Sequence, residues 1–412
     1  MNNRVERIIK RLEELAAISD DKECLSRFFG TKAHNDAKDL LIAWMKEAGL
    51  EVFCDSIGNV RGICKSNAQN AKHFVIGSHY DTVFNAGKFD GPLGIIIGIE
   101  IAHRLIAENT VLPFHLNIVS FSDEEGSRFN TAYLGSSVLA GNFDENWLSR
   151  KDDNNVTLTE AIETYFGKVD TIFEGKIPEE EWLGYYEVHI EQGPVLCEEN
   201  LPICLVSSIA SQIRAELTWK GISAHAGTSP MNLRYDALCA ASEFILEVEK
   251  IGKAHPDKLV ATVGKLNVLS NTSNVVPELV CHSLDIRSAD ANFLVEVLEG
   301  LQSKAREISE KRNIGLNWKI MQTNPVVVCD NHLKKLLRKS IKKVGINNPI
   351  EIPSGAGHDA VMISKVAPIS MLFVRCKDGV SHNPEEHASS EDIEVSLKVS
   401  DQFLDELIKY NK

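Results

Sequence analysis

The sequence predicts an α/β protein: a mostly parallel sheet with helices on both faces, interrupted by an inserted α+β domain. Three observations carry this expectation. Short apolar runs alternate with helical patterns through the first third of the chain, an order that yields parallel strands joined by crossover helices. From about residue 211 the order becomes that of the split β-α-β-β-α-β, ferredoxin-like unit, and from about 327 helix and strand alternate again. At 412 residues the chain also exceeds what one core usually supports. The expected boundaries are 1–210 with 327–412 for a discontinuous α/β domain, and 211–326 for the insertion.

In chain order, "MNNRVERIIKRLEELAAIS" is charged throughout and reads as an amphipathic helix, not a signal peptide. "DAKDLLIAWMKEAGL" has helical spacing, and "EVFCDSIGNVRGIC" reads as two strands about a turn. "HFVIGSHYDTV" is a buried strand that ends in polar groups. The helix over 92–107 is the most apolar region, but Glu100 and His103 break it and it is too short to span a bilayer. "FHLNIVSFSDEEG" is a second buried strand that ends in acids. The polar stretch 143–181 reads as a surface excursion with a helix around "TLTEAIETYFG". In the insertion, "SQIRAELTWKGISAHAG", "LVATVGKLNVLS" and "ELVCHSLDIRS" are strands, and "LRYDALCAASEFILEVEKIG" and "NFLVEVLEGLQSKAREISEKR" are helices.

The composition, 43% hydrophobic and 25% charged, is that of a folded globular chain. A formal charge of −14 and the lack of a basic stripe argue against nucleic acid as partner. The basic run "HLKKLLRKSIKK" (332–343) is the solvated face of an amphipathic helix. Nine cysteines without a CxxC pair suit reduced thiols in the cytoplasm, so thiolate zinc and a disulfide framework are not expected.

The residues able to carry chemistry sit where strands end. "GSHYDT" supplies His79 and Asp81, "GKFDGPLG" Asp90, "SFSDEEGSRF" Glu124 and Glu125, "YYEVHIEQGPV" His189 and "VSHNPEEH" His382. Taken singly, a strand-end histidine is more often structural and an acid pair more often solvated. Taken together, three histidines with several carboxylates are ligand chemistry for divalent ions such as zinc or manganese, and there are enough for two. Asp90 would bridge, with His79 and His189 on one ion and Glu125 and His382 on the other. Glu124 would then be the general base, and Asp81 would orient His79 from behind. The glycines Gly87, Gly91, Gly94 and Gly98 do not form G-x-G-x-x-G and instead permit close helix packing. "GISAHAG" lacks the G-x-S-x-G elbow of serine hydrolases.

These motifs, with "GISAHAGTSPM", "NVVP", "DIRS", "SGAGHDA" and "GVSHNPEEH", resemble in order and spacing the amidohydrolase branch of the aminoacylase and carboxypeptidase-type dinuclear metallohydrolases. That branch includes allantoate amidohydrolases, N-carbamoyl-L-amino acid hydrolases and β-ureidopropionases. The resemblance implies two divalent metal ions (zinc or manganese, with cobalt or nickel as alternatives) on His79, Asp90, Glu125, His189 and His382. It implies that Glu124 is the base, that Gln192, His225, Asn274, Arg287 and Gly357 contact substrate, and that the insertion serves as lid and homodimer interface. Arg287 would grip a carboxylate, Asn274 a ureido group, and His225 would stabilise an oxyanion. The expected reaction is hydrolysis of a small ureido carboxylate, allantoate first and N-carbamoyl-L-amino acids second. A dipeptidase or aminoacylase, and a non-catalytic binding protein, are the remaining readings.

Overall fold

The computed structural model describes residues 3–269 and 271–412; Met1, Asn2 and Ser270, which fall at the ends of two of the predicted segments, lie outside them. The chain separates into two compact units. One holds residues up to Ser207 with Val328–Ile352 and Gly357–Lys412; the other holds Ser208–Val327 with Pro353–Ala356.

In the first unit the strands are β1 (Glu51–Cys54), β2 (Val60–Cys64), β3 (His73–His79), β4 (His115–Phe121), β5 (Trp182–Ile190) and β6 (Ile203–Ile209). After the second unit's β7 (Ser211–Lys220), β8 (Ala224–His225), β9 (Val260–Thr262), β10 (Leu266–Val268), β11 (Val275–Val276), β12 (Leu279–Ser288) and β13 (Gly315–Asn324) come β14 (Val327–Val328), β15 (Glu351–Ser354) and β16 (Ile369–Val374). The large sheet runs β1-β2-β4-β3-β5-β16-β6-β14, with β15 beside β6. Its centre is parallel: β4 with β3, β3 with β5, and β5 with β16. Antiparallel strands flank that centre, β2 against β4 and β6 against β16. β3, β4 and β16 are buried along nearly their whole length, the continuous apolar pattern of a sheet covered on both faces. The helix Pro92–Ala107 packs Ile95, Ile96, Ile99 and Leu105 into that core, together with Leu397, Phe403 and Leu404 of the helix Ser390–Tyr410.

The stretch read from sequence as a surface excursion is more than that. Phe143, Leu158, Ile162 and Ile172 close a separate apolar cluster with Phe29, Ile57 and Phe129, which burial of scattered large side chains stabilises. The helix within it, Leu158–Tyr165, starts at a capping box of Thr157 and Glu160.

The second unit has the antiparallel order β10-β12-β7-β13, with β9 also on β12. The predicted single strand "LVATVGKLNVLS" is thus two short ones, interrupted around Gly264, whose N–H turns to the Ser283 hydroxyl instead of the ladder. Helices Ala237–Ala254 and Ala291–Arg312 bury Ala241, Phe244, Leu294 and Leu301 against the inward faces of β7 and β12. β8 and β11 form a small ribbon of their own.

Candidate metal centre

Four neighbouring parallel strands deliver the polar residues. His79 is the last residue of β3, Glu124 and Glu125 follow β4, His189 sits one residue from the end of β5, and His382 lies in the loop after β16. Side chains beyond the carboxyl ends of parallel strands converge on one side of the sheet, where α/β proteins bind ligands. Asp90 joins them from the loop that enters the helix Pro92–Ala107. That loop can close only because residue 91 is glycine: its φ is +82°, and a Cβ there would lie 2.5 Å from the carbonyl oxygen of His79. One turn on, a Cβ on Gly94 would come within 2.2 Å of the Val188 carbonyl, so the same helix lies directly on β5.

Asp90 is the centre of the arrangement. Its Oδ1 lies 3.1 Å from Nε2 of His189 and 3.4 Å from Nε2 of His79. Its Oδ2 lies 3.2 Å from Nε2 of His382, which is in turn 3.3 Å from Oε1 of Glu125. Both inner histidines have their orientation fixed from behind. Nδ1 of His79 faces the Asp81 carbonyl at 3.2 Å, and Nδ1 of His189 faces the Ile190 carbonyl at 2.9 Å. A carbonyl only accepts, so each ring donates from Nδ1 and turns Nε2 to Asp90. Asp81 also accepts from the backbone N–H groups of Glu124 and Glu125, at 3.0 and 3.2 Å, and so ties the His79 turn to the acid pair.

The charges are strongly coupled. Burial disfavours ionised Asp90, but His189, His382 and His79 outweigh it and hold the carboxyl well below its usual range. Burial likewise opposes charge on His79, and Asp81 and Asp90 overcome it, raising that ring well above its ordinary value. Glu124 is raised well above the carboxylate range, first by burial and then by repulsion from Glu125. Oδ1 of Asp90 is nonetheless buried without a hydrogen bond. An orphaned carboxylate oxygen between two oriented ring nitrogens fits a divalent cation, whose coordination would remove the cost of burying it unpaired. Among the described residues, His79 with Asp90 and His189, and Asp90 with Glu125 and His382, each bring ligand atoms within 4.8 Å of one another. So do His79 with Glu124 and Glu125, and Glu187 with His189 and His358.

The other residues singled out by sequence divide between the units. Gln192 donates from Nε2 to Oδ2 of Asp90 at 2.8 Å. It and His382 hold left-handed backbone, φ 59° and 53°, which side chains other than asparagine and aspartate adopt uncommonly. Gly357 packs so close to the Tyr133 side chain that a Cβ would lie 1.8 Å from its hydroxyl oxygen. In the second unit, the β8–β11 ribbon brings His225 and Asn274 together, since the Ala226 N–H donates to the Asn274 carbonyl. Nδ1 of His225 accepts from the N–H groups of Gly227 and Thr228, at 3.0 and 3.2 Å, so its proton sits on Nε2. Arg287 lies on β12 of the same unit.

Sequence reasoning missed Ser381 and Glu386. Ser381 donates from its hydroxyl, which lies 3.0 Å from both Oδ2 of Asp90 and Oε2 of Glu386. Oε1 of Glu386 accepts from the N–H groups of Phe89 and Asp90, at 2.8 and 3.0 Å, and so fixes the loop that carries the central carboxylate. Their one signal was position: both flank His382 in "VSHNPEEH".

The carboxyl edge of the parallel sheet thus gathers histidines and carboxylates whose spacing could hold metal ions. The chain belongs to peptidase family M20/M25/M40, whose model matches residues 75–406. It is 38% identical to the N-carbamoyl-L-amino-acid amidohydrolase of Pseudomonas sp. (strain NS671), over 96% of each chain. It is 35% identical to allantoate deiminase 1 of Glycine max, over 97% of this chain and 89% of that one. The crystal structure of AtUAH in complex with glyoxylate matches with a TM-score of 0.83 at 30% identity, over 98% of each chain. Among the described residues no helix is long and apolar enough to cross a membrane.

Proposed function

We propose that the protein hydrolyses a ureido C–N bond next to a carboxylate, with allantoate as substrate. The observation that carries its metal-dependent chemistry is the unbonded Oδ1 of Asp90, set between His79 and His189 while Oδ2 faces His382. The ureido substrate is supported by the similarity to relatives named allantoate deiminase and N-carbamoyl-L-amino-acid amidohydrolase. His79 and His189 would hold one divalent ion, Glu125 and His382 a second, and Asp90 both. Zinc and manganese are the expected ions, with cobalt and nickel compatible with the same donors. When bound, such ions supply Lewis acidity, which polarises a carbonyl and acidifies water.

The chain's own groups do the rest. Glu124 takes the proton from the attacking water and delivers it to the leaving nitrogen, a role suited to a buried carboxyl whose pKa is raised. Asp81 keeps His79 and the Glu124 backbone in register. His225 donates from Nε2 to the developing oxyanion, Asn274 and Gln192 bind the ureido group, Arg287 takes the carboxylate, and the peptide at Gly357 lines the substrate. The second unit acts as lid and as homodimer interface, and the enzyme works in the cytoplasm without nucleic acid or membrane as partner. A second reading, an N-carbamoyl-L-amino acid hydrolase, is favoured by the 38% identity to the Pseudomonas enzyme.

The test is ammonia release by manganese- or zinc-loaded protein given allantoate beside a panel of N-carbamoyl-L-amino acids. Turnover of allantoate is expected. Turnover of the carbamoyl panel alone would replace the substrate and keep the mechanism; no ammonia from either would overturn the ureido reading.

A further inference from the structure

Arg287 does not stand alone on its strand. β12 and β7 pair so that Asp285 lies opposite Arg214, and Arg287 opposite Gln212, which puts all four side chains on one face of the sheet. Asp285 is their common partner. Its Oδ1 accepts from Nε of Arg287 at 2.9 Å, and its Oδ2 accepts from Nη2 of Arg287 at 2.9 Å, Nε of Arg214 at 3.0 Å and Nε2 of Gln212 at 2.9 Å. Gln212 is itself oriented by Asn324, whose Nδ2 donates to its Oε1 at 3.2 Å.

The bonding pattern leaves a specific part of Arg287 open. Nη1 donates once, to the Gly355 carbonyl at 2.6 Å, and the Nε and Nη2 edge is held by Asp285. Each terminal nitrogen carries two N–H groups, so one on Nη1 and one on Nη2 remain for a carboxylate to accept from. Two guanidinium groups share one carboxylate, so these four residues keep one positive charge. Burial works against ionised Asp285, but Arg287 and Arg214 outweigh it and keep the carboxyl below its usual range. The Arg214 side chain is 50% exposed and those of Arg287 and Asp285 about a quarter, so the pairs add little to stability. What they fix is direction, because an unpaired arginine samples many rotamers and this one has its plane set.

We propose that Asp285 is a positioning residue that aims the free edge of Arg287 at the substrate carboxylate, with Arg214 and Gln212 holding Asp285 in place. This rests on the reading of Arg287 as the carboxylate anchor. The experiment uses the full-length, metal-loaded protein and two readouts: glyoxylate binding by calorimetry, and kcat and KM for ureido hydrolysis. Asp285→Asn and Arg287→Ala should each weaken glyoxylate by roughly tenfold or more, the cost of a misdirected charged hydrogen-bond pair. The double variant should bind no more weakly than Arg287→Ala, because one residue acts through the other. Asp285→Asn should raise KM by roughly tenfold while kcat stays within about threefold, the signature of lost substrate binding. Asp285→Glu, with its thermal melt recorded beside the others, should recover part of the affinity.

The outcomes separate two failures. If Arg287→Ala weakens glyoxylate and Asp285→Asn does not, Asp285 is not the positioning residue and the anchor stands. If Arg287→Ala binds as the wild type does, the anchor reading falls and the positioning proposal with it. Multiplicative losses in the double variant would also overturn the proposal, since they would show Asp285 acting on its own.

Discussion

Two buried carboxylates of the first unit, ten residues apart, are compensated in opposite ways. Glu100, fully buried within the helix Pro92–Ala107, is met by arginines of the helix Asn3–Ala16. Arg7 grips it bidentately, both bonds at 2.6 Å, Arg11 reaches Oε1 at 3.1 Å, and Arg4 stands 3.8 Å from Oε2. Asp90, at the mouth of the same helix, meets three histidines and keeps one oxygen unbonded. Arginine is a permanent cation, so Glu100 is neutralised by the chain itself and its function ends in holding helices together. Histidine is neutral or charged according to its surroundings, and once it gives up its proton it presents a lone pair, so Asp90 and its histidines are a donor set that a cation from outside could take in exchange for protons. A buried acid surrounded by arginines is therefore a strut, whereas one surrounded by oriented histidines is a candidate ligand.

The largest effect expected from breaking this contrast lies beside it. Glu124→Gln removes the proposed base and leaves the five proposed ligands, so kcat should fall roughly 10²–10⁴-fold, the range for loss of a general base, while bound metal stays at the wild-type level. Metal analysis beside the ammonia assay checks both, and near-normal turnover would remove Glu124 from the chemistry.

Next come the two acids themselves. Glu100→Gln leaves the part-exposed Arg7 without its anion and should cost about 1–3 kcal/mol in denaturant unfolding, with metal content unchanged. Asp90→Asn should do the reverse: metal is lost, while the stripped variant unfolds within about 1 kcal/mol of stripped wild type, since an amide can still bond Gln192 and Ser381. If both variants lose stability and neither loses metal, the distinction between strut and ligand fails. A smaller effect tests the support of Asp90. Glu386→Ala frees the N–H groups of Phe89 and Asp90 and should weaken metal binding by roughly 10–100-fold, the usual cost of losing an outer partner of a ligand. Titration of metal-free protein with a competing chelator measures this directly.

The same contrast explains what the sequence could reveal. His79, Glu124 and Glu125 could be placed at one sheet edge because they end or follow apolar runs, and parallel pairing of those runs and their neighbours brings their ends beside His189 and the loop of His382. Glu386 was not, because its role consists of contacts nearly three hundred residues away in sequence, and a local pattern carries no information on such a pairing. Glu100 showed only as an interruption of an apolar helix; its arginines lie on another element and give no shared periodicity. The apolar cluster around Phe143 and Ile162 was hidden for a related reason. Its members are spread among polar residues with no helical or strand period, and only tertiary packing unites them.

The smallest expected effect concerns a histidine that is neither strut nor ligand. His34, in the helix Lys32–Glu47, is fully buried, stacks on Tyr80 at 4.3 Å between ring centres and has Nε2 2.6 Å from the Ser122 carbonyl. Burial pushes its pKa down to about 3, with Asp81 only partly opposing. Unfolded, it titrates near 6.5. Between those values the unfolded chain binds a proton that the folded one does not, so stability rises with pH, is complete above about 6.5 and is lost as pH falls. From pH 7 to pH 5 this one ring should remove about 2 kcal/mol. His34→Gln can still donate to Ser122, so its urea midpoint should shift less than that of the wild type over the same interval. Equal shifts would mean that His34 charges inside the fold, which would make it a buried cation near Asp81, contrary to the burial that the structure gives it.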